Sequence, residues 1–311
     1  APAPLEHEDG WRSKTKASAM ENRFPSTRLS TGLLGESLDH SLVTRPTRTM
    51  RWVKFAAILS LWAIFFGLLV LVHLWISLLK LPNRWEIISR LTYSFSFLLR
   101  TILNIKVTVA GDAGQINEGD TVIISNHLGY VDGFVLGSIF PVVFVSKREV
   151  KKWPVIGLWA TLGGTIFINR QKKGEVGLLV VEMSKKLRDG ANILLFPEGR
   201  ATNGERMLPF QTAPLAAPLR NRSIIVPVTL VYTRVDDKPV SKENRDLIYC
   251  YDDMDFFPHF WKLLSLRSIE VVVTVQRKIE CSRYKDNSAG RKKLALDCYN
   301  RVLGRVNILP N

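Results

Sequence analysis

The chain is expected to fold as an α/β protein, a single domain on a mostly parallel sheet, preceded by an apolar, membrane-associated helical segment. Three observations carry this expectation. Beyond Lys106 short apolar runs alternate with stretches of helical period, the pattern of β/α units. Before it, Phe55 to Leu79 form a run of 25 residues without a formal charge. Of the 311 residues 46% are hydrophobic and 23% charged, which excludes wholesale disorder and supplies a sizeable core.

Taken in order, residues 1–49 are rich in Ser, Thr, Pro and charge with no sustained period, and read as a disordered polar tail. The uncharged run at 55–79 makes a helix of roughly 37 Å, long enough for a bilayer core. Arg51 and Lys54 flank it on one side, Lys80 and Arg84 on the other, and Trp52, Trp62 and Trp75 suit the interfaces. Pro82 stops that helix. Ile87, Ile88, Leu91, Phe95, Leu98, Leu99 and Ile102 then recur at helical spacing, so 50–104 is read as two membrane-associated helices. Strands are expected at 105–111, 121–126, 142–146, 165–168, 191–196, 223–232 and 268–276. Helices are expected at 133–140, 152–162, 174–189 and 286–306, within one domain over 105–311.

The net charge of +15 is compatible with nucleic acid or with an anionic membrane. Its distribution favours the membrane, because residues 51–110 carry seven basic side chains against Glu86 alone. No RRM, KH or zinc pattern supports nucleic acid. Three cysteines (Cys250, Cys281, Cys298), none in a CxxC pair, exclude a disulfide scaffold and a Cys-based zinc module and fit a reducing, cytosol-facing environment. A P-loop and a GxSxG elbow are both missing, which argues against a nucleotide enzyme and an α/β-hydrolase.

Of five histidines, His7 and His40 lie in the tail, His73 in the apolar run and His259 in an aromatic stretch. His127 follows the strand TVIIS in Ser125-Asn126-His127-Leu128-Gly129-Tyr130-Val131-Asp132. The C-terminal end of a strand is where α/β sheets hold ligands, and imidazole suits a general base near neutral pH. Asp132 sits five residues on, about 140° away around a regular helix, so a His127–Asp132 pair needs an irregular turn at Gly129. Once formed, the carboxylate fixes the imidazole tautomer and leaves the other nitrogen to take a proton from a hydroxyl. A histidine and an acid at this offset also arise by chance. Leu195-Phe196-Pro197-Glu198-Gly199-Arg200 ends another strand, where Pro197 and Gly199 bend the chain and expose Glu198 with Arg200. The same residues read equally as a surface turn with a loose ion pair. Gly164-Thr165-Ile166-Phe167-Ile168-Asn169-Arg170 ends a third strand in an arginine, a group matched to phosphate oxygens but common at any sheet edge.

Together these strand ends resemble the glycerolipid acyltransferase family, of the lysophosphatidic acid acyltransferase type, over residues 105–235. Asn126, His127 and Asp132 match NHxxxxD; Gly164, Phe167, Ile168 and Arg170 match GxxFIxR; Phe196–Gly199 match FPEG; and an apolar strand centred on Pro227 matches the fourth motif. The family's usual Thr or Ser before the arginine is missing, because Arg200 follows Gly199 directly. Arg170 or Arg206 is then an alternative phosphate ligand.

The resemblance implies a membrane-bound O-acyltransferase. His127, oriented by Asp132, deprotonates the free hydroxyl of 1-acyl-glycerol 3-phosphate, which attacks acyl-CoA or acyl-carrier protein to give phosphatidic acid without an acyl-enzyme. Asn126, Arg170, Glu198, Gly199 and Arg200 are implied to bind substrate. No metal or prosthetic group is implied, and the catalytic domain is expected to face the cytoplasm, at the inner membrane in a bacterium. A different acceptor such as a lyso-aminolipid, or a non-catalytic basic membrane-binding protein, is the alternative.

Overall fold

The computed structural model describes residues 48–81, 84–116, 119–153, 156–169 and 174–305. The expected polar tail up to residue 47, Pro82 and Arg170 lie outside the described residues.

Two long helices come first, α1 (Arg48–Leu79) and α2 (Arg84–Ile102). The sheet strands are β1 (Ile105–Ala110), β2 (Thr121–Ser125), β3 (Val143–Lys147), β4 (Ile166–Ile168), β5 (Ile193–Leu195), β6 (Ile224–Val235) and β8 (Ile269–Val275). Their order is β1-β8-β6-β2-β5-β3-β4, with the short strands β7 (Lys238–Pro239) and β9 (Ile279–Glu280) pairing with β6. Strands β6, β2, β5, β3 and β4 run parallel, whereas β8 runs antiparallel to β6 and parallel to β1. The C-terminal ends of β2, β5, β3 and β4 therefore share one side of the sheet, where the segments bearing His127 and Glu198 meet.

β2 is buried along its whole length because both faces of the sheet are covered. Ile123, Leu194, Val226 and Leu230 face a core shared with α1, α2, α3 (Tyr130–Gly137), α4 (Ile156–Leu162) and α7 (Phe256–Leu263). Val122, Ile124, Ile193 and Ile225 face the other core, against α5 (Glu175–Arg188), α6 (Ala216–Asn221) and α8 (Ser288–Leu303).

Among the described residues α1 is one helix long and apolar enough to cross a membrane. One stripe of it, Ile58, Leu61, Trp62, Phe65 and Leu69, is nevertheless buried in the protein, with Trp62 edge-on to Phe95 of α2 and Trp159 of α4. Near its start the Lys54 ammonium donates to the Leu266 carbonyl at 2.7 Å, and Trp52 packs on Trp261 of α7. Just past its end, Arg84 and the Trp85 indole N–H both reach the Asp189 carboxylate, at 3.2 and 3.3 Å. Trp85 lies so close over Gly164 that an added Cβ would stand 2.4 Å from the ring. Both helices therefore belong to the same compact unit as the sheet. Leu59, Ile64, Leu71, Leu74, Trp75 and Leu78 remain exposed on the other side of α1.

Candidate active site

β2 delivers Asn126 and His127 to the sheet edge, and Gly129 closes the turn into α3. The pair does not lie on one helix: His127 precedes the first helical residue, Tyr130, and Asp132 is the third. Glycine is needed at position 129 for space. Its φ of 167° is ordinary extended backbone, but an added Cβ would lie 2.7 Å from the Cys250 nitrogen, which donates to the Leu128 carbonyl at 3.0 Å.

The turn folds Asp132 back beneath the histidine. His127 Nδ1 lies 2.9 Å from Asp132 Oδ2, the carboxylate accepting and the ring donating. The same oxygen accepts from the Leu128 and Gly129 amides at 2.6 and 2.9 Å, and Oδ1 accepts from the Tyr232 hydroxyl at 2.9 Å. Asp132 is 0% exposed. Burying an isolated carboxylate costs several kcal/mol, and four donors at about 1.5–3 kcal/mol each offset that cost. The helix N-terminus adds to the same effect. The His127 side chain keeps 21% of its surface exposed, so Nε2 is left for a reactant. Phe196 stacks on the imidazole at 4.1 Å and 14°, which sets the plane of the ring.

The FPEG segment braces the histidine from below. Glu198 is only 4% exposed, and its two oxygens accept from the His127 amide at 2.7 Å and the Leu208 amide at 2.8 Å. Burial pushes the carboxyl up to about 7, against the opposing pull of those two hydrogen bonds. The Thr202 amide completes the clamp by donating to the His127 carbonyl at 3.0 Å. Gly199 is buried at φ +83°, the left-handed region that favours glycine, and this reverses the chain so that Arg200 emerges at the surface. Arg206 is also exposed, and neither arginine has an ion-pair partner among the described residues. Their loop is fastened by Glu205, which pairs with the largely buried Arg245 at 2.9 Å.

Two expectations change. Glu198 is not displayed beside Arg200: two backbone amides that would otherwise lack an acceptor draw it inward. Asn126, expected to touch substrate, is buried, and its amide both donates to the Leu230 carbonyl and accepts from the Leu230 amide, each at 2.9 Å. It acts as a side-chain rung joining the end of β2 to β6. Arg170 falls outside the described residues. Sequence reasoning missed Tyr232, Phe196 as a stacking partner, and the Glu205–Arg245 pair; of these, only Phe196 belongs to a motif.

A model of the family described as Acyltransferase matches residues 106–231. A lyso-ornithine lipid O-acyltransferase of Brucella abortus is 31% identical over 225 residues, which cover 70% of this chain and 78% of that protein. The chain belongs to the acyltransferase family. As a member it is also similar to the 1-acyl-sn-glycerol-3-phosphate acyltransferase of Neisseria gonorrhoeae, 25% identical over 62% of this chain and 72% of that one. The solved structure of the 1-acyl-sn-glycerophosphate acyltransferase from Thermotoga maritima aligns with a TM-score of 0.53 at 14% identity, covering 83% of this chain and 99% of its own. That likeness concerns the fold, and it agrees with the mostly parallel α/β domain expected from the sequence.

Proposed function

We propose that the chain transfers a fatty acyl group from an acyl thioester, acyl-CoA or acyl-carrier protein, to the free hydroxyl of a lyso-lipid. The observation carrying this reading is the 2.9 Å bond from His127 Nδ1 to the buried Asp132, which leaves Nε2 free at the sheet edge. Nε2 takes the hydroxyl proton as the oxygen attacks the thioester carbonyl. The tetrahedral intermediate collapses with cleavage of the C–S bond, and the imidazolium returns the proton to the departing thiolate. Asp132 stabilises the imidazolium between these steps. The scheme balances without a metal or prosthetic group.

For the acceptor, an ornithine-bearing lyso-lipid has the stronger support. Proteins of that name from Brucella abortus and Rhodobacter capsulatus are 31% and 34% identical to this chain, against 25% for the glycerophosphate enzyme of Neisseria gonorrhoeae. The departure at Arg200 from the glycerophosphate pattern points the same way. Arg200 and Arg206, exposed and without an ion-pair partner among the described residues, favour 1-acyl-glycerol 3-phosphate as the second reading.

The membrane supplies this substrate. Both ends of α1 are fastened to the one globular domain, by Lys54 and Trp52 at the start and by Arg84 and Trp85 just past the end. The helical pair is accordingly read as lying in one leaflet, with the exposed apolar side of α1 in lipid and the catalytic domain on the cytoplasmic surface. The test is purified protein with labelled acyl-CoA or acyl-carrier protein and a panel of lyso-lipids. Ester product on lyso-ornithine lipid is expected, product only on 1-acyl-glycerol 3-phosphate supports the second reading, and no product with either donor sinks both.

A further inference from the structure

We propose that Tyr232 is a positioning residue of this reaction: through its hydrogen bond to Asp132 Oδ1 it locks the carboxylate that orients His127. The inference rests on the reading of His127 and Asp132 as the proton-transfer pair.

The argument starts from how the carboxylate is loaded. All three donors on Oδ2, the His127 ring and the Leu128 and Gly129 amides, belong to the same short turn as Asp132 itself. They hold one oxygen but leave the carboxylate free to pivot about it. Oδ1 takes its donor from the middle of the sheet, 100 residues along the chain, where Tyr232 sits on β6. Tyr232 is itself fixed: it is 3% exposed, its backbone is paired with Val271 of β8, and its ring lies 5.8 Å from that of Tyr249. A side chain on a central strand is a more rigid anchor than one on a turn. Burial and the charge of Asp132 hold the phenol well above its ordinary range, so it stays a donor at any pH the enzyme meets.

Asn126 ties the end of β2 to Leu230, two residues before Tyr232. β6 thus fixes the segment bearing the histidine and the carboxylate that orients it. Without the phenol, Oδ1 would be a buried acceptor with no donor, and the carboxylate could recover a partner only by turning. Turning takes Oδ2 away from Nδ1, and the ring then samples orientations in which Nε2 no longer faces the hydroxyl. Substrate contacts would be untouched. The loss therefore belongs in kcat and not in KM.

The test is Tyr232→Phe, which removes one oxygen and keeps the packed ring, assayed beside Asp132→Asn and the double variant. Secondary structure and melting temperature are followed by circular dichroism. The expected result is a loss of about tenfold in kcat with KM within twofold of wild type. The double variant is expected to turn over no more slowly than Asp132→Asn, because the phenol acts only through that carboxylate. A kcat within twofold of wild type, a loss confined to KM, or a double variant slowed by the full additional factor would each overturn the proposal. His127→Ala separates this from the reading beneath it. Full activity of that variant removes the proton-transfer pair altogether, whereas an inactive His127→Ala beside a fully active Tyr232→Phe removes only the role of Tyr232.

Discussion

Asp132 and Glu198 are both buried beneath His127, and they are held differently. Asp132 accepts four hydrogen bonds, while Glu198 accepts two, and burial pushes its carboxyl up to about 7. An ordinary glutamate ionises near 4.5, so the folded protein holds this proton more tightly than the unfolded chain does. The stabilisation is complete below about 4.5 and is lost as pH rises through about 7, by roughly 3 kcal/mol at most. Glu198→Gln removes the titration, and its amide can accept from only one of the His127 and Leu208 N–H groups while turning its own NH2 toward the other. The variant should melt lower than wild type at pH 5, with the gap narrowing toward pH 8; parallel melting curves across that range contradict the assignment. The sequence pointed outward for Glu198 because Pro197 and Gly199 signal a bend, and a bend is usually at the surface. The two amides that need an acceptor lie at positions 127 and 208, beyond any local pattern. The partner of Asn126, Leu230, is equally remote in the sequence. His127 and Asp132 were legible because their pairing is local, completed within one turn.

At the level of elements, the strands on the shared edge were legible because parallel strands buried on both faces are written as continuous apolar runs. α3 starts three residues earlier than expected: the Tyr130-Val131-Asp132 stretch looks like a turn until the Asp132 carboxylate is seen to accept from the Gly129 amide at the helix start. α7 was missed because eight residues with an internal proline give too little periodicity to detect. The composition of α1 supports a span, whereas its packing depends on partners at Phe95, Trp159 and Leu266 that composition does not contain. One leaflet and two leaflets predict different labelling. With the protein in sealed vesicles, cysteines placed at Arg48 and at Lys80 should both react with a membrane-impermeant maleimide from the same side, above the background of Cys250. Reaction from opposite sides would mean that α1 crosses.

For the whole molecule, the charge of +15 and the exposed apolar side of α1 act on the same partner by different physics. Charge attraction is screened over about 10 Å at 0.1 M salt and about 3 Å at 1 M, whereas burial of apolar surface is not weakened by salt. Binding to anionic vesicles should therefore weaken as salt is raised and settle at a salt-resistant level, which neutral vesicles show from the outset. Binding abolished by salt would leave the apolar helices without a role. The central claim concerns the chemistry at the edge of the sheet, and the most direct test compares wild type with His127→Ala in initial-rate acyl transfer from a labelled thioester to lyso-ornithine lipid and 1-acyl-glycerol 3-phosphate, with vesicle binding measured on the same samples. The account predicts that the variant binds vesicles as wild type does and loses turnover by about a thousandfold or more; equal turnover by the two proteins would contradict it.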